Sequence, residues 1–485
     1  MFLWRLKVRQ HTSSILLALA IGLIAGVAIS FLLRLTLMSS VVWLLLAGLL
    51  AILAFVWRST FAIGMAVVAG GLLGCFRTNF TTVDIQNVQS LNGQVVQVAG
   101  VVFEDPDTKE DGSLTLKLNN LEVAGRALSG NVYIGKLGRQ DIKRGDHVEL
   151  YGKLSDGFGN FSAAMYRPKV DKVTRPTPGD LAGRARDWFG GLVRQVVGET
   201  EASLGLGYLL GQRRSLPSSL VEVLKITGLT HIVVASGYNL TVLVRFSRRL
   251  FMRVSRFAAL FFALLLVVCF IMVTGVSPSM LRAGMVSILS LLAWFYGRKF
   301  HPINLLVLVA SATLMLSPSY IVDLGWLLSF GSFAGVMIYA PMLQAYFFGR
   351  KKKRGFLVQI LFETISAQLL VLPILVFAFG QVSLVSVFAN LLILPTIPIT
   401  MLLVFATGLS VLTLPWLGAA MGWCTGLLLD YHLMVMNYFG SLEWATATVQ
   451  MGWLGAALCY ALLIALGLYL KRVTKIDLLN SNIID

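Results

Sequence analysis

The chain is poor in charge and poorer still in acids. Only 13% of its 485 residues are charged, with 23 Asp and Glu set against 40 Lys and Arg. Soluble domains carry about a quarter charged residues. With 57% hydrophobic residues and a mean hydropathy of +0.79, this composition excludes an ordinary soluble fold and indicates a polytopic membrane protein. Cysteine is scarce too: Cys75, Cys269, Cys424 and Cys459 lie in or beside apolar runs and form no CxxC. That argues against a disulfide framework or a zinc site and leaves them as helix-packing residues. The five scattered histidines include no HxH or HExxH, so no conventional metal centre and no cofactor are expected. GxxxxGK[ST] and GxSxG are absent, which removes the P-loop and the nucleophile elbow. The basic run 349–355 reads as a cytoplasmic loop rather than a phosphate cradle.

What the chain has instead is apolar runs of spanning length. Three come first, at 14–37, 41–57 and 60–76, behind a basic start with Arg5, Lys7 and Arg9. Two further spans follow the first almost at once, so it reads as an uncleaved anchor and not a signal peptide. Basic clusters recur at 5–9, Arg58, 245–256, 298–299, 350–354 and 471–475. Lys and Arg in short loops stay cytoplasmic. Holding these loops inside makes the apolar runs alternate and puts both termini in the cytoplasm. The fold class expected is a polytopic α-helical membrane protein of about 10–12 membrane segments, some broken or re-entrant, with one inserted small β-barrel domain. Its parts are an anchor of three spans (1–79), the β domain (80–176), an interfacial helix (177–200), a multi-span channel domain (201–472) and a cytoplasmic tail (473–485).

The β domain shows as short alternating segments at 94–102, 114–123, 130–135, 147–154 and 161–167, separated by Gly, Asn and Asp. Five strands in so short a stretch fit an OB-like barrel, with another five-stranded barrel left open. Residues 84–175 carry twelve basic and twelve acidic side chains, so the whole +17 resides elsewhere. Single-strand binding by OB folds needs a basic groove with stacking aromatics. Tyr133, Phe158 and Phe161, with Tyr151 and Tyr166, are candidates to stack, and Lys136, Arg139, Lys143 and Arg144 to form a local patch. The same aromatics are equally consistent with barrel core. After Pro176 and Pro178, residues 181–197 form an amphipathic pattern with Asp180 as N-cap, suited to a membrane interface.

In the second membrane region, residues 227–239 place Thr227, Gly228, Thr230, His231, Ser236, Gly237 and Asn239 in a run otherwise apolar enough to enter a bilayer. Polar groups at that depth are costly unless buried in protein or lining a wet cavity. A second interrupted stretch, 384–414, contains Pro395 and Pro398. Arg282, Asp323, Glu363, Gln368, Asn390, Asp430 and His432 lie inside expected spans. Each is either a functional group or a residue paired or capping within the bundle; for Asp323, N-capping is a direct alternative. Catalysis by Ser236 with His231 as base lacks a nearby acid to orient the base, so no catalytic residue is assigned.

Several ordered segments together resemble the ComEC-type DNA-internalisation proteins of natural competence. They are Gly211-Gln-Arg213, Thr227-Gly-Leu-Thr-His231 running into Ser236-Gly237, Pro278-Ser-Met-Leu-Arg282-Ala283, Pro318 with Asp323-Leu-Gly-Trp-Leu-Leu-Ser329-Phe330, and then Pro373, Gly380, Asn390 and Pro395. The resemblance spans roughly residues 10–470 and includes the order of three spans, β domain, interfacial helix and multi-span region. Two departures stand out. Asn239 occupies a position where the family pattern has His, and a C-terminal metallo-β-lactamase-like domain common in the family has no counterpart before Asp485. No nuclease activity is therefore expected of these residues.

The resemblance implies a channel component that admits single-stranded DNA through the lipid bilayer of a bacterial cytoplasmic membrane. His231, Ser236, Gly237, Asn239, Arg282, Asp323, Glu363, Gln368 and Asn390 would contribute to its polar lining or framework. A strand entering a negative-inside cell works against about 2.3 kcal/mol per charge per 100 mV. With no ATPase motif in the chain, a cytoplasmic helicase-like motor must pull. The family also implies an extracytoplasmic helix-hairpin-helix DNA receptor as a partner; whether a separate nuclease takes the place of the missing domain is left open. The alternative is a transporter of another anionic solute or a lipid-linked saccharide, for which Glu363 and Asp430 would be the ion-coupling residues to test.

Overall fold

A computed structural model of the chain describes residues 11–33, 41–108, 112–123, 125–128, 130–138, 140–212, 216–233, 236–298, 301–349 and 355–476. The basic residues Arg5, Lys7 and Arg9, the loop 350–354, Arg139, Arg213 and the end of the expected tail lie outside the described residues. The chain divides into two units: residues 1–179 with 304–327, and residues 180–303 with 328–485.

The first unit opens with α1 (Thr12–Leu33), α2 (Val41–Trp57) and α3 (Thr60–Gln89). α1 and α3 approach closely through Gly22 and Gly26 on one helix and Gly70 and Gly74 on the other, a paired small-xxx-small arrangement. A methyl on Gly22, Gly26 or Gly70 would drive into the carbonyl of Val67, Gly71 or Leu19 across the interface. α3 differs from the span expected at 60–76. It continues as one 30-residue helix to Gln89, about 45 Å long. Hydropathy falls after Phe76, but the helical hydrogen bonds do not stop there. Thr78 and Thr82 return their hydroxyls to Gly74 and Thr78 carbonyls, and Val88 ends buried in the β-domain core.

The barrel follows: β1 (Val95–Val102), β2 (Asp107–Thr108), β3 (Leu114–Val123), β4 (Arg126–Leu128), β5 (Val132–Leu137), β6 (His147–Asp156), β7 (Ala163–Tyr166) and β8 (Lys169–Thr174). Hydrogen bonding runs β1-β3-β5-β7-β6, and β6 closes back on β1. Every pair in that ring is antiparallel except β5 with β7, which is parallel. This is a closed five-strand barrel with an OB-type connection, lined by Val98, Leu116, Ile134, Leu150, Leu154 and Met165. The five expected strands map onto it within about two residues, because alternation along each strand reports which face is core. β2 and β4 ride on β3, and β8 extends β6.

A buried carboxylate closes the turn before β6. Asp146 accepts from the Lys143 amide at 2.9 Å and from Arg175 Nε and Nη2, each at 2.9 Å. Burial alone would raise this carboxyl. The Arg175 hydrogen bonds, the Lys143 amide and the two positive charges outweigh it and hold Asp146 below the usual carboxylate range. The first unit is completed by α11 (Pro302–Leu316) and the 3-10 turn Pro318–Val322. Arg77 donates to the Met315 and Leu316 carbonyls at 3.0 and 2.9 Å, a cation on the end of α11 where helix carbonyls lack amide partners.

The second unit begins with α4 (Leu181–Arg194), whose N-cap Asp180 accepts from the Gly183 amide at 2.9 Å. Leu181 and Trp188 face outward while Phe189 stacks on Phe405. Then come α5 (Glu199–Leu210), α6 (Ser218–Ile226), the single turn α7 (Thr230–Val233), α8 (Gly237–Phe251), α9 (Arg256–Thr274) and α10 (Pro278–Phe295). After α11 the chain continues as α12 (Leu324–Phe348), α13 (Phe356–Phe379), α14 (Ser386–Ile393), α15 (Ile397–Thr413), α16 (Pro415–Gly440) and α17 (Trp453–Thr474). Short strands β9 (Gln381–Ser383) and β10 (Thr446–Thr448) pair antiparallel.

Among the described residues seven helices are long and apolar enough to cross a membrane, and α14 with α15, bent by 52°, makes an eighth. The shorter apolar helices α2 and α11 bring the candidates to ten. The chain is a multi-pass helical membrane protein with an inserted barrel.

Candidate functional site

The polar run that interrupts the spans is a junction of three helix ends, built around Asn239. α5 stops at Gly211, which takes the left-handed conformation (φ 66°) and leaves the Tyr208 carbonyl in the last turn without an amide partner. α7 is a single turn, so its Ile232 carbonyl is equally orphaned. Asn239, fully buried one turn into α8, fills both: its Nδ2 donates to Tyr208 O at 2.9 Å and to Ile232 O at 3.0 Å. Ser236 is the N-cap of α8, accepting from the Asn239 amide at 3.3 Å and donating to Asn239 Oδ1 at 3.0 Å. One carboxamide thus caps two helices, and one hydroxyl starts the third.

His231 is exposed, with Nδ1 at 2.9 Å from the Gly228 carbonyl. Ser236 and His231 therefore spend their hydrogen bonds on Asn239 and Gly228 rather than on each other. Gly237, the first residue of α8, lies against Arg282 and Ala283 of α10.

The two interrupted stretches, far apart in sequence, meet. Ser383 donates to the Ile226 carbonyl at 2.5 Å and Tyr238 donates to the Leu394 carbonyl at 3.3 Å. Between them Gly228 (φ 69°) packs so tightly on Ser386 that a Cβ would stand 2.7 Å from the serine Cβ. Ser386 in turn accepts from Gln368, and its carbonyl receives Asn390 Nδ2 at 2.7 Å. Asn390 Oδ1 is buried without a partner. Glu363 accepts from Gln359 at 2.8 Å and lies within electrostatic reach of Tyr238. His231, Ser236, Gly237, Asn239, Arg282, Gln368 and Asn390 thus belong to one contiguous region. Asp323 does not: it belongs to the first unit and caps α12, accepting from the Trp326 amide at 2.7 Å.

Two further polar residues that the sequence marked, one inside an expected span and one in the Gly211-Gln-Arg213 segment, are held by partners that only the fold supplies. His432 on α16 is fully buried with Nε2 2.7 Å from Thr396 Oγ1, at the break between α14 and α15. Because the Thr396 hydroxyl donates to Ile393 O at 2.8 Å, the proton in this contact is assigned to Nε2. Gln212, 7% exposed, joins Asp187 and Arg194 of α4, at 3.1 and 3.2 Å. Among the described residues no three His, Cys, Asp or Glu gather as metal ligands.

On the barrel, the structure assembles Tyr133, Phe158, Phe161 and Tyr166 into one cluster outside the core. Tyr133 lies 5.0 Å from Phe158, 5.6 Å from Phe161 and 6.2 Å from Tyr166. Phe158 and Tyr166 are nearly half exposed, at 48% and 49%. Tyr133 alternates with the buried Val132 and Ile134, so its ring is outside the barrel. Across the β3–β5 pair Tyr133 sits opposite Lys117, which is bonded to Glu104 at 2.6 Å. Tyr151 is exposed on β6.

Lys136 is exposed at a positive-φ kink (55°) of β5. Lys143 and Arg144 belong to the β5–β6 connection, around Asp146, and Arg139 lies outside the described residues. The β6–β7 loop, through Gly159, and the Lys117–Glu104 pair face the 3-10 turn and Asp323 of the same unit.

Comparison with known proteins places these features in a family. Residues 208–473, more than half of the chain, match the family model described as competence protein. ComE operon protein 3 of Bacillus subtilis (strain 168) is 25% identical over 188 residues, covering 38% of this chain and 23% of that protein. The alignment thus spans about a quarter of that relative's length. No solved structure matches.

Proposed function

The chain belongs to the competence protein family, and from that premise we propose that it passes single-stranded DNA across the bacterial cytoplasmic membrane during natural transformation. The observation that carries the reading is the aromatic cluster on the barrel. In OB folds, single strands and oligosaccharides bind on the face of the second and third strands and beside the loop between the fourth and fifth. Counting only the five ring strands, Tyr133 and Lys117 lie on that face, and Phe158 and Phe161 lie in that loop. Stacking on such rings contributes about 1–3 kcal/mol per base and tolerates any sequence, as a protein importing arbitrary DNA requires. The barrel's balanced charge keeps this grip weak, so the strand can be handed on.

In this reading the barrel stands outside the membrane and both termini inside. The junction of the two interrupted stretches forms the framework of the passage. The proposal gives the chain no catalytic step and no motor. The pull comes from a cytoplasmic helicase-like ATPase, the strand from an extracytoplasmic helix-hairpin-helix receptor, and strand degradation from a separate nuclease. The test is uptake of labelled DNA by cells deleted for the chain. Surface-bound label that fails to enter the nuclease-resistant pool supports the proposal; normal entry refutes it.

A further inference from the structure

Arg282 is a buried cation without an anion. It is 8% exposed, and among the described residues no carboxylate lies within 4 Å of it. Its surroundings are neutral. Nε donates to Ser329 Oγ at 2.7 Å, Ser279 Oγ stands 3.0 Å from the same oxygen, and the rings of Phe333 and Phe330 lie 5.2 and 5.9 Å away. Nη1 and Nη2 have no acceptor among the described residues.

Nη2 points at the start of α8. A Cβ on Gly237 would stand 3.1 Å from it, so only glycine leaves that space open without forcing a neighbour to give. α8 is 15 residues long, and its first amides, those of Gly237 and Tyr238, have no acceptor among the described residues; the Ser236 hydroxyl takes only the Asn239 amide. A helix N-terminus carries about half a positive charge. Here it meets a full guanidinium charge, and among the described residues nothing negative offsets the two. An oxyanion beside both would be attracted by each, since a helix N-terminus and a guanidinium both offer N–H donors to an anion.

We propose that Arg282 and the first-turn amides of α8 form a seat for one phosphodiester oxyanion, filled in turn by the phosphates of a passing strand. The inference rests on the DNA-passage reading for its ligand, but the seat itself rests on the geometry. The planar guanidinium fork matches two phosphate oxygens. A single cation framed by neutral groups holds each phosphate firmly enough to draw it in and loosely enough to release it, the requirement for conduction.

The test uses the full-length protein in phosphatidylcholine nanodiscs, with inorganic phosphate as probe and the thermal midpoint as readout. A ligand of the folded state raises the midpoint by mass action. For Arg282→Met and Arg282→Gln, the phosphate concentration giving a half-maximal rise should increase by more than about tenfold, since a charge-assisted contact is lost. Without phosphate both variants should melt no lower than the wild type, because the removed charge had no anionic partner and its burial cost, which the Ser329 bond and the rings only offset, goes with it. A wild type that ignores phosphate, equal responses in all three proteins, or variants that melt well below the wild type in its absence would each overturn the seat.

Repeating the titration with phosphatidylglycerol in the discs separates the sources of the phosphate. A wild-type response lost only there makes a lipid headgroup the occupant, and the strand assignment falls. In transformable cells, a more than about tenfold drop in uptake at normal protein level supports seat and passage together. Normal uptake with the phosphate effect intact leaves the seat standing and removes DNA passage from it.

Discussion

Replacing Asn239 by alanine deletes two donors and leaves the Tyr208 and Ile232 carbonyls facing each other's helix end without an amide. The size of the effect follows from what is stranded rather than from the bonds counted singly. A side-chain hydrogen bond between membrane helices averages only about 0.6 kcal/mol, because the unfolded chain in the membrane also finds partners. A buried carbonyl left unpaired costs about 1–3 kcal/mol, and here there are two at a fully buried position. The expected loss is therefore about 4 kcal/mol. Ser236→Ala removes one N-cap and should cost only about 1 kcal/mol.

Asn239→Asp changes the fewest atoms, yet should be at least as damaging as alanine. It aims a carboxylate at the negative ends of two helices. Equilibrium unfolding of the purified protein in mixed micelles, followed by tryptophan fluorescence, gives all three values. If Asn239→Ala costs no more than Ser236→Ala, or Asn239→Asp behaves like the wild type, the double C-cap is not what holds this junction.

Other expectations follow from the first unit and the barrel. Asp146→Asn should weaken the barrel by about 2 kcal/mol, discounted from a buried pair because Arg175 is 46% exposed and can rehydrate. The Asp146 carboxyl is depressed in the folded state. Its stabilisation is therefore complete above the unfolded value near pH 4, is lost as pH falls through the folded value, and should vanish from the acid-unfolding profile of the variant. Gly70→Leu should force α1 and α3 apart, costing at least about 2 kcal/mol by overpacking; an unfolding free energy unchanged from the wild type would contradict it. Tyr133→Ala combined with Phe158→Ala should weaken binding of a thymidine oligonucleotide to the full-length protein by tenfold or more, at about 1–3 kcal/mol per stacked base. Unchanged affinity would return those rings to a packing role.

The membrane class, the five ring strands, the Asp180 cap and the polar run 227–239 were legible in the sequence. Each is written in a local period or in composition: alternation of two for the strands, unbroken hydropathy for the spans, a capping residue beside its helix. The polar tail of α3 was not, because hydropathy marks where a bilayer ends and not where a helix does. Nor did the residues announce that Tyr133, Phe158 and Phe161 form one cluster, since strand alternation assigns a face but not the neighbours across a closed ring. Long-range closure alone decided that Ser383 reaches Ile226, that Asn239 caps the ends of α5 and α7, and that Arg282 meets the start of α8. A hydrogen bond across 31 or 157 residues leaves no periodic trace along the chain. It exists only where packing has already fixed both ends, and that is why the sequence could supply the polar residues of the junction and only the tertiary structure could divide them between holding helices and facing a charge.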